Sequence, residues 1–208
     1  MTARGVIAAV VLAAGGSTRL GKPKQLLPLG EHPLLAHVLH CVRQSSVDRK
    51  YIVLGFAEDQ IREQVPLHDF EIIHNQDYFA GQSTSIRRTI ETMPDDVSAV
   101  VFVLGDQPLQ VPEVIDTIIG SYRDDPAPAV QPQFADGPGN PVLIDRELFG
   151  ELLELTGDTG ARPVLRELGD RIRRIDCSAY RRPSDVDTWE DYEAVKRYYA
   201  SMNIGDHR

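Results

Sequence analysis

The apolar positions fall into short blocks that alternate between two periods. Val6–Leu12 is an unbroken run with the length and β-branching of a buried strand. Leu34, Leu35, Val38, Leu39 and Val42 then recur at helical spacing, which predicts a helix opening at His32-Pro33 with proline near its first turn. Tyr51–Gly55 reads as a strand, Ala57–Gln64 as a helix ended by Pro66, and Phe70–His74 as a strand. This β-α-β-α-β order is that of a parallel sheet with crossover helices. A further helix is expected to start within Gln82–Ser85. Ala99–Leu104 is the most uniformly apolar stretch and predicts a central strand buried on both faces. Val111–Asp124 places Val114, Ile115, Ile118 and Ile119 on one helical face, and Asp124–Pro128 breaks it. Ala129–Phe134 and Pro141–Ile144 read as strands around the turn 135–140; if they pair, the sheet is mixed. Helices are expected over Asp145–Leu155 and after Arg162, a last strand over Arg171–Asp176, and a final helix carrying Tyr192, Val195 and Tyr199 inward. The expectation is an α/β fold: a three-layer α/β/α sandwich, Rossmann-like, with a mostly parallel (mixed) sheet, as a single domain over residues 1–208.

Composition narrows the function. The 208 residues are 42% hydrophobic and 25% charged, ordinary for a globular chain. The formal net charge of -9 argues against a nucleic-acid partner, which wants a broad basic face. No apolar run approaches the ~20 residues of a membrane span, so no membrane partner is expected. The N-terminus lacks the features of a signal peptide, and a cytoplasmic location is expected. Cys41 and Cys177 stand far apart without a C-x-x-C pair, so neither a disulfide framework nor a zinc site is indicated.

Against that acidic background, residues 1–30 contain no Asp or Glu. The first strand feeds Gly15 and Gly16, whose backbone N–H groups can approach a ligand closely, and then Arg19, Lys22 and Lys24. A cationic, glycine-containing loop after a strand points to a polyphosphate. It is not the standard P-loop: Gly16–Lys22 fits G-x-x-x-x-G-K, but Pro23 replaces the Ser/Thr that would bind Mg²⁺. Nor is it G-x-G-x-x-G, because the glycines fall at 15, 16 and 21. A plain turn with surface lysines is the alternative.

Four further segments carry chemistry. Asp106 follows the central strand, where open α/β sheets bind ligands, and Mg²⁺ favours one or two carboxylates plus substrate phosphates. A turn-forming Asp is the competing reading. Gln82, Ser83 and Ser85 bring polar side chains to a helix start, to cap it or face a ligand. Gly157-Asp158-Thr159-Gly160 is either a flap over a substrate or a helix–helix linker. Near the C-terminus Thr188-x-x-Asp191 is close to a capping box, which leaves Asp185 and Asp187 unexplained. The pair is expected to diverge, with only one carboxylate facing a metal.

Leu12-Ala13-Ala14-Gly15, Ser17, Arg19, Gly21, Lys24 and Leu26-Leu27-Pro28 together resemble the signature of the MobA/MocA-type nucleotidyltransferases. Asn75, Tyr78, Gly81 and Ser85 resemble the family's base-side segment, and Gly105-Asp106-Gln107-Pro108 its G-D-x-P element. Gly139-Asn140-Pro141 is similar to an acceptor-side element that usually has His at the middle position. Gly157–Arg162 is similar to G-D-x-G-A-R, with Thr159 where Lys is frequent. Asp185–Tyr192 is similar to D-[IV]-D-T-x-E-D-[YF], with Trp189 for the usual Pro. The likeness spans about residues 6–195. It implies transfer of a nucleoside monophosphate from an NTP to a phosphorylated acceptor, with release of pyrophosphate. L-A-A-G leans toward the MocA branch, hence CTP and a molybdopterin-type acceptor, with a molybdoenzyme as downstream partner. GTP or another small phosphate is the alternative within the class; an oxidoreductase or a cofactor-binding chaperone is the alternative outside it. The resemblance assigns Leu12, Ala13, Ala14, Gly15, Gly16, Arg19, Lys24, Gly81, Gln82, Ser83 and Ser85 to the nucleotide. Arg19, Lys24 and Asp106 are the catalytic set, and Asp106 and Asp187 hold Mg²⁺ with Asp185 in reserve. Asn140 and Arg162 face the acceptor.

Overall fold

The computed structural model describes residues 5–17 and 19–205. Its centre is the strand β1 (Val6–Leu12), where Ile7–Val11 are wholly buried. Successive side chains leave opposite faces of a strand. Accordingly Ile7, Ala9 and Val11 enter one apolar layer while Ala8 and Val10 enter the other. A strand covered on both sides must be apolar throughout, which is why this run shows no alternation.

A two-strand ribbon follows, β2 (Pro28–Leu29) and β3 (His32–Pro33), and then α1 (Leu34–Gln44). Pro33 is the residue before the helix rather than its first turn, because its extended backbone is used in the ribbon. Next come β4 (Arg49–Leu54), α2 (Glu58–Gln64), β5 (Glu71–His74), α3 (Gln82–Thr92), β6 (Val97–Leu104) and α4 (Pro112–Asp124). The second half runs β7 (Ala129–Phe134), β8 (Gly137–Pro138), β9 (Val142–Asp145), α5 (Phe149–Leu153), α6 (Arg162–Leu168), β10 (Ile172–Asp176) and α7 (Trp189–Gly205).

The main sheet has the order β10-β7-β9-β6-β1-β4-β5, with β8 paired to β7. β1 runs parallel to β4 and β6, whereas β9 is antiparallel to both β6 and β7. The short β8 is also antiparallel to β7, so the sheet is mixed through β8 and β9. One layer packs α1, α2 and α4 on the sheet; the other packs α3, α5 and α6. Together these make the three-layer, Rossmann-like α/β/α sandwich.

One expected helix is absent as drawn. Asp145 pairs with Ala99 as the end of β9, and its carboxylate accepts from the Glu147 amide at 2.7 Å. Residues 146–148 are a 3-10 turn and only Phe149–Leu153 is α-helical. Sheet pairing claims the residue that sequence pattern assigns to the helix start.

From β1 the chain builds outward to β5 and then returns through α3 to β6, on the other side of β1. The carboxyl ends of β1 and β6 therefore form a topological switch point, where crevices open in such sheets.

Candidate active site

Leu12 and Leu104 are paired at that point, and the loops 13–25 and 105–110 leave from them. The Gly105 amide donates to the Leu12 carbonyl at 3.0 Å. A Cβ on Gly105 would lie 2.9 Å from the same carbonyl, so glycine lets the two strand ends close together.

The first loop is held in shape by Gln25, a buried residue that the motif reading passes over. Its Nε2 donates to the carbonyls of Ala13 at 2.9 Å and Gly15 at 3.2 Å. Ser17, at a positive φ of 50°, accepts from the Lys24 amide through Oγ at 2.9 Å. A buried amide must find partners, and here it finds them in the backbone of the loop it shapes. The only signal in the sequence is a glutamine beside the Leu26-Leu27 pair, of which Leu27 is buried, adjacent to the cation that matters.

That cation is Lys24. Its Nζ donates to Asp106 Oδ2 at 2.6 Å and to Asp187 Oδ1 at 2.8 Å. Burial works against the ammonium, but Asp106 and then Asp187 outweigh it and hold its pKa above the ordinary lysine value. Burial also pushes the Asp106 carboxyl above the usual carboxylate range; Lys24 pulls it down, and Asp185 and Asp187 add to the upward push. An ionised Asp106 therefore depends on a cation beside it. Its other oxygen, Oδ1, is buried and has no hydrogen-bond partner among the described residues. Buried polar atoms are normally paired, so this one is open to a ligand.

Arg19 stands 3.5 Å from Asp187 and is well exposed at the rim. Lys22 lies over the Trp189 ring, 5.1 Å from its centroid, and does not line the cavity. Asp185 and Asp187 both line it, while Val186 between them is fully buried and its amide donates to the Asp106 carbonyl at 3.0 Å. This corrects the expectation that the two carboxylates diverge. In an extended segment, residues i and i+2 share a side and the residue between them faces away. Thr188 and Asp191 do form the capping box, with Thr188 N donating to Asp191 Oδ2 at 2.8 Å and Asp191 N to Thr188 Oγ1 at 3.2 Å. The apolar face of α7, through Tyr192 and Val195, packs with Val186, Leu27 and Leu34 and so brings this segment to the sheet end.

The cavity has a volume of about 680 Å³. Leu12, Ala13, Ala14, Gly15, Gly16, Arg19, Lys24, Gly81, Gln82, Ser85, Asp106, Arg162, Asp185 and Asp187 all line it, as does Asp158. Ser83 does not: it is buried and its amide donates to the Gly157 carbonyl at 3.1 Å. Asn140 also lies outside the lining, in the loop between β8 and β9. Arg162, the other residue expected on the acceptor side, does line the cavity, beside Asp158.

The α3 side of the cavity is organised by Asn75, whose Nδ2 donates to Thr84 Oγ1 at 2.8 Å and Ser85 Oγ at 2.9 Å. Segment 157–160 closes on this helix start. Asp158 Oδ1 accepts from the Gln82 amide at 3.0 Å, and a Cβ on Gly81 (φ 106°) would meet the Gly157 carbonyl at 2.5 Å. These residues form a wall docked on α3.

Among the described residues no cluster of three or more His, Cys, Asp or Glu is arranged to enclose a metal by itself. Two carboxylates already converging on one ammonium, with a third lone pair open, instead suit a hard cation that draws its remaining ligands from phosphates.

Residues 9–172 match the MobA-like NTP transferase domain. The chain belongs to that family. The crystal structure of the Rv0371c homolog from Mycobacterium sp. strain JC1 is 35% identical, covering 94% of this chain and 98% of that one, with a TM-score of 0.88. Rv0371c from Mycobacterium tuberculosis, crystallised in complex with manganese, is 32% identical, covering 92% and 98%, with a TM-score of 0.82. The nicotine blue oxidoreductase of Paenarthrobacter nicotinovorans is 28% identical over 205 residues, 93% of this chain and 95% of that protein. The chain spans only 37% of the bifunctional GlmU protein of Kineococcus radiotolerans, to which it is 29% identical over 182 residues. No described helix is long and apolar enough to cross a membrane.

Proposed function

We propose that this protein transfers CMP from CTP to a phosphorylated acceptor, molybdopterin, and releases pyrophosphate. The observation that carries the reading is the Lys24 ammonium held between Asp106 and Asp187 at the strand ends, with Asp106 Oδ1 open. Asp106 and Asp187 would hold Mg²⁺. When bound there, the ion supplies charge neutralisation across the phosphates.

The chain's own residues do the rest. The amides of Gly15 and Gly16 cradle the triphosphate, Arg19 at the rim and Lys24 at the floor neutralise it, and Gly81, Gln82 and Ser85 meet the nucleoside. Arg162 and the docked Gly157–Gly160 wall face the acceptor. An acceptor phosphate oxygen attacks the α-phosphorus in line; the bond from that phosphorus to the bridging oxygen breaks, and pyrophosphate departs with the electron pair. The attacking oxygen is already anionic and needs no general base. Catalysis is then positioning and charge stabilisation by a preorganised set of cations and amides. The choice of CTP follows the L-A-A-G resemblance.

A second reading is kept because the nicotine blue oxidoreductase aligns over nearly the whole of both chains. In that reading the cavity holds a redox cofactor and its substrate. One experiment separates the two. Pyrophosphate release is measured with each of the four NTPs, Mg²⁺ and molybdopterin, beside NADH and NADPH oxidation with a quinoid dye. The transferase reading expects CTP-selective release and no nucleotide oxidation. Oxidation without pyrophosphate release would replace it.

A further inference from the structure

Gln107 occupies the variable position of Gly105-Asp106-Gln107-Pro108, and nothing in the catalytic scheme above uses it. It is nonetheless buried, 4% exposed, and so is Gln110, at 6%. Gln107 Nε2 donates to Asp185 Oδ1 at 2.7 Å, and Gln110 Nε2 donates to Gln107 Oε1 at 2.8 Å. The polarity of this relay is dictated from one end. An ionised carboxylate only accepts, so the Gln107 amide must turn its NH₂ toward Asp185 and its oxygen toward Gln110. Gln110 must then present its own NH₂. The direction of the chain leaves Gln110 Oε1 buried without a partner among the described residues. Two buried amides and one unmet acceptor are thus arranged around a single carboxylate on the cavity wall.

That carboxylate is held next to the cation site. The Val186 amide bonds to the Asp106 carbonyl at 3.0 Å, which sets Asp185 and Asp187 on the cavity side of one extended segment. Asp187 reaches the Lys24 ammonium; Asp185 is turned instead toward Gln107. Oδ1 of Asp185 accepts from the relay, and the residue lines the cavity.

We propose that Gln107, backed by Gln110, is a positioning residue that presents Asp185 as a third carboxylate of the cation site, one that accepts from the ion's water shell. Mg²⁺ keeps several of its waters, so a carboxylate one water away is useful to it. The inference rests on the reading that Asp106 and Asp187 hold the divalent ion.

The test measures Mn²⁺ affinity directly, by electron paramagnetic resonance of the free ion, on folded protein without nucleotide. Gln107→Leu removes the donor, Asp185→Asn removes the charge while keeping the shape, and the double variant closes a thermodynamic cycle. Partners outside the first coordination shell are typically worth about 10- to 100-fold in metal affinity. About tenfold weaker binding is expected for each single variant, and the double variant is expected to be no weaker than Asp185→Asn alone. A purely structural Gln107 would instead lower the melting temperature with Mn²⁺ affinity unchanged in the folded protein, and that overturns the proposal. So does additivity in the double variant. If Gln107→Leu does not fold, Asp185→Asn decides, and wild-type Mn²⁺ affinity in it is also fatal. Asp106→Asn is the control. If it too binds Mn²⁺ like wild type, the cation-site reading itself fails; if it alone loses binding, only the role of Gln107 and Asp185 fails.

Discussion

Replacing Lys24 with methionine removes one ammonium and leaves two carboxylates facing each other. The Lys24 side chain is 13% exposed and Asp106 22%, whereas Asp187 is 46% exposed. Breaking a buried pair costs about 3–5 kcal/mol, because one charge is left without compensation. The half-exposed Asp187 side is screened by water and contributes much less. About 2–3 kcal/mol remains for the Asp106 side. For a domain of this size each kcal/mol moves the melting temperature by about 2–4 °C, so Lys24→Met should melt roughly 5–10 °C lower in EDTA. Millimolar Mg²⁺ or Mn²⁺ should return more stability to the variant than to the wild type, since the ion held by Asp106 and Asp187 would supply the positive charge the variant lacks there. The pH dependence has a definite sign. The folded pKa of Lys24 lies above the ordinary 10.5, so its contribution is complete below that value and is lost as pH rises through the raised one. The gap between wild type and variant should hold from pH 7 to about 10 and close only above it. Scanning calorimetry over that range, with and without divalent ion, is the assay. A melting temperature within about 1 °C of wild type in EDTA would refute the claim that Lys24 neutralises a buried carboxylate.

Other consequences can be checked separately. Gly81→Ala places a Cβ 2.5 Å from the Gly157 carbonyl at a φ of 106°, and should destabilise by about 1–3 kcal/mol in urea titrations. Gly15→Ala meets nothing within 4 Å among the described residues and should stay within about 0.5 kcal/mol of wild type, yet bind CTP about tenfold more weakly by calorimetry. Arg43 bonds Asp69 at 2.8 Å and lowers its pKa below 3.8; Asp69→Asn should cost about 1 kcal/mol at pH 7, a loss that fades as pH falls through the depressed value. Cys41 is buried and its thiol is pushed up to about 12 by burial, then by Glu113 and Asp116; neither it nor the buried Cys177 should react with a thiol reagent until the protein unfolds.

Much of the molecule was readable from residue pattern because burial imposes it. β1 and β6 are covered on both faces, so their apolar runs have no other use, and β7 matches its expected limits, Ala129–Phe134. Asp106 was readable because a lone carboxylate after such a strand stands at the switch point. The misses share a cause: partners distant in sequence. Asp145 was expected to begin a helix, but Ala99 of β6 claims it for the sheet. Gln25 and Gln107 fall on variable positions of their motifs, and only the fold shows which carbonyl and which carboxylate they serve. Ser83 has the residue type of a ligand contact, but the Gly157 carbonyl takes its amide and packing takes its side chain. The Asp185–Asp187 pair required only the alternation of an extended chain, with Val186 turned into the core.

In the proposed reaction the α-phosphorus is the atom transferred, and isotopic label follows it. Wild type and Asp106→Asn would be incubated with molybdopterin, Mg²⁺ and CTP carrying ³²P at either the α or the γ position. The wild type should put α-label in the acceptor product and γ-label in pyrophosphate, and Asp106→Asn should do neither. Label from the γ position on the acceptor, or equal α-transfer by the Asp106→Asn protein, would contradict the proposed reaction.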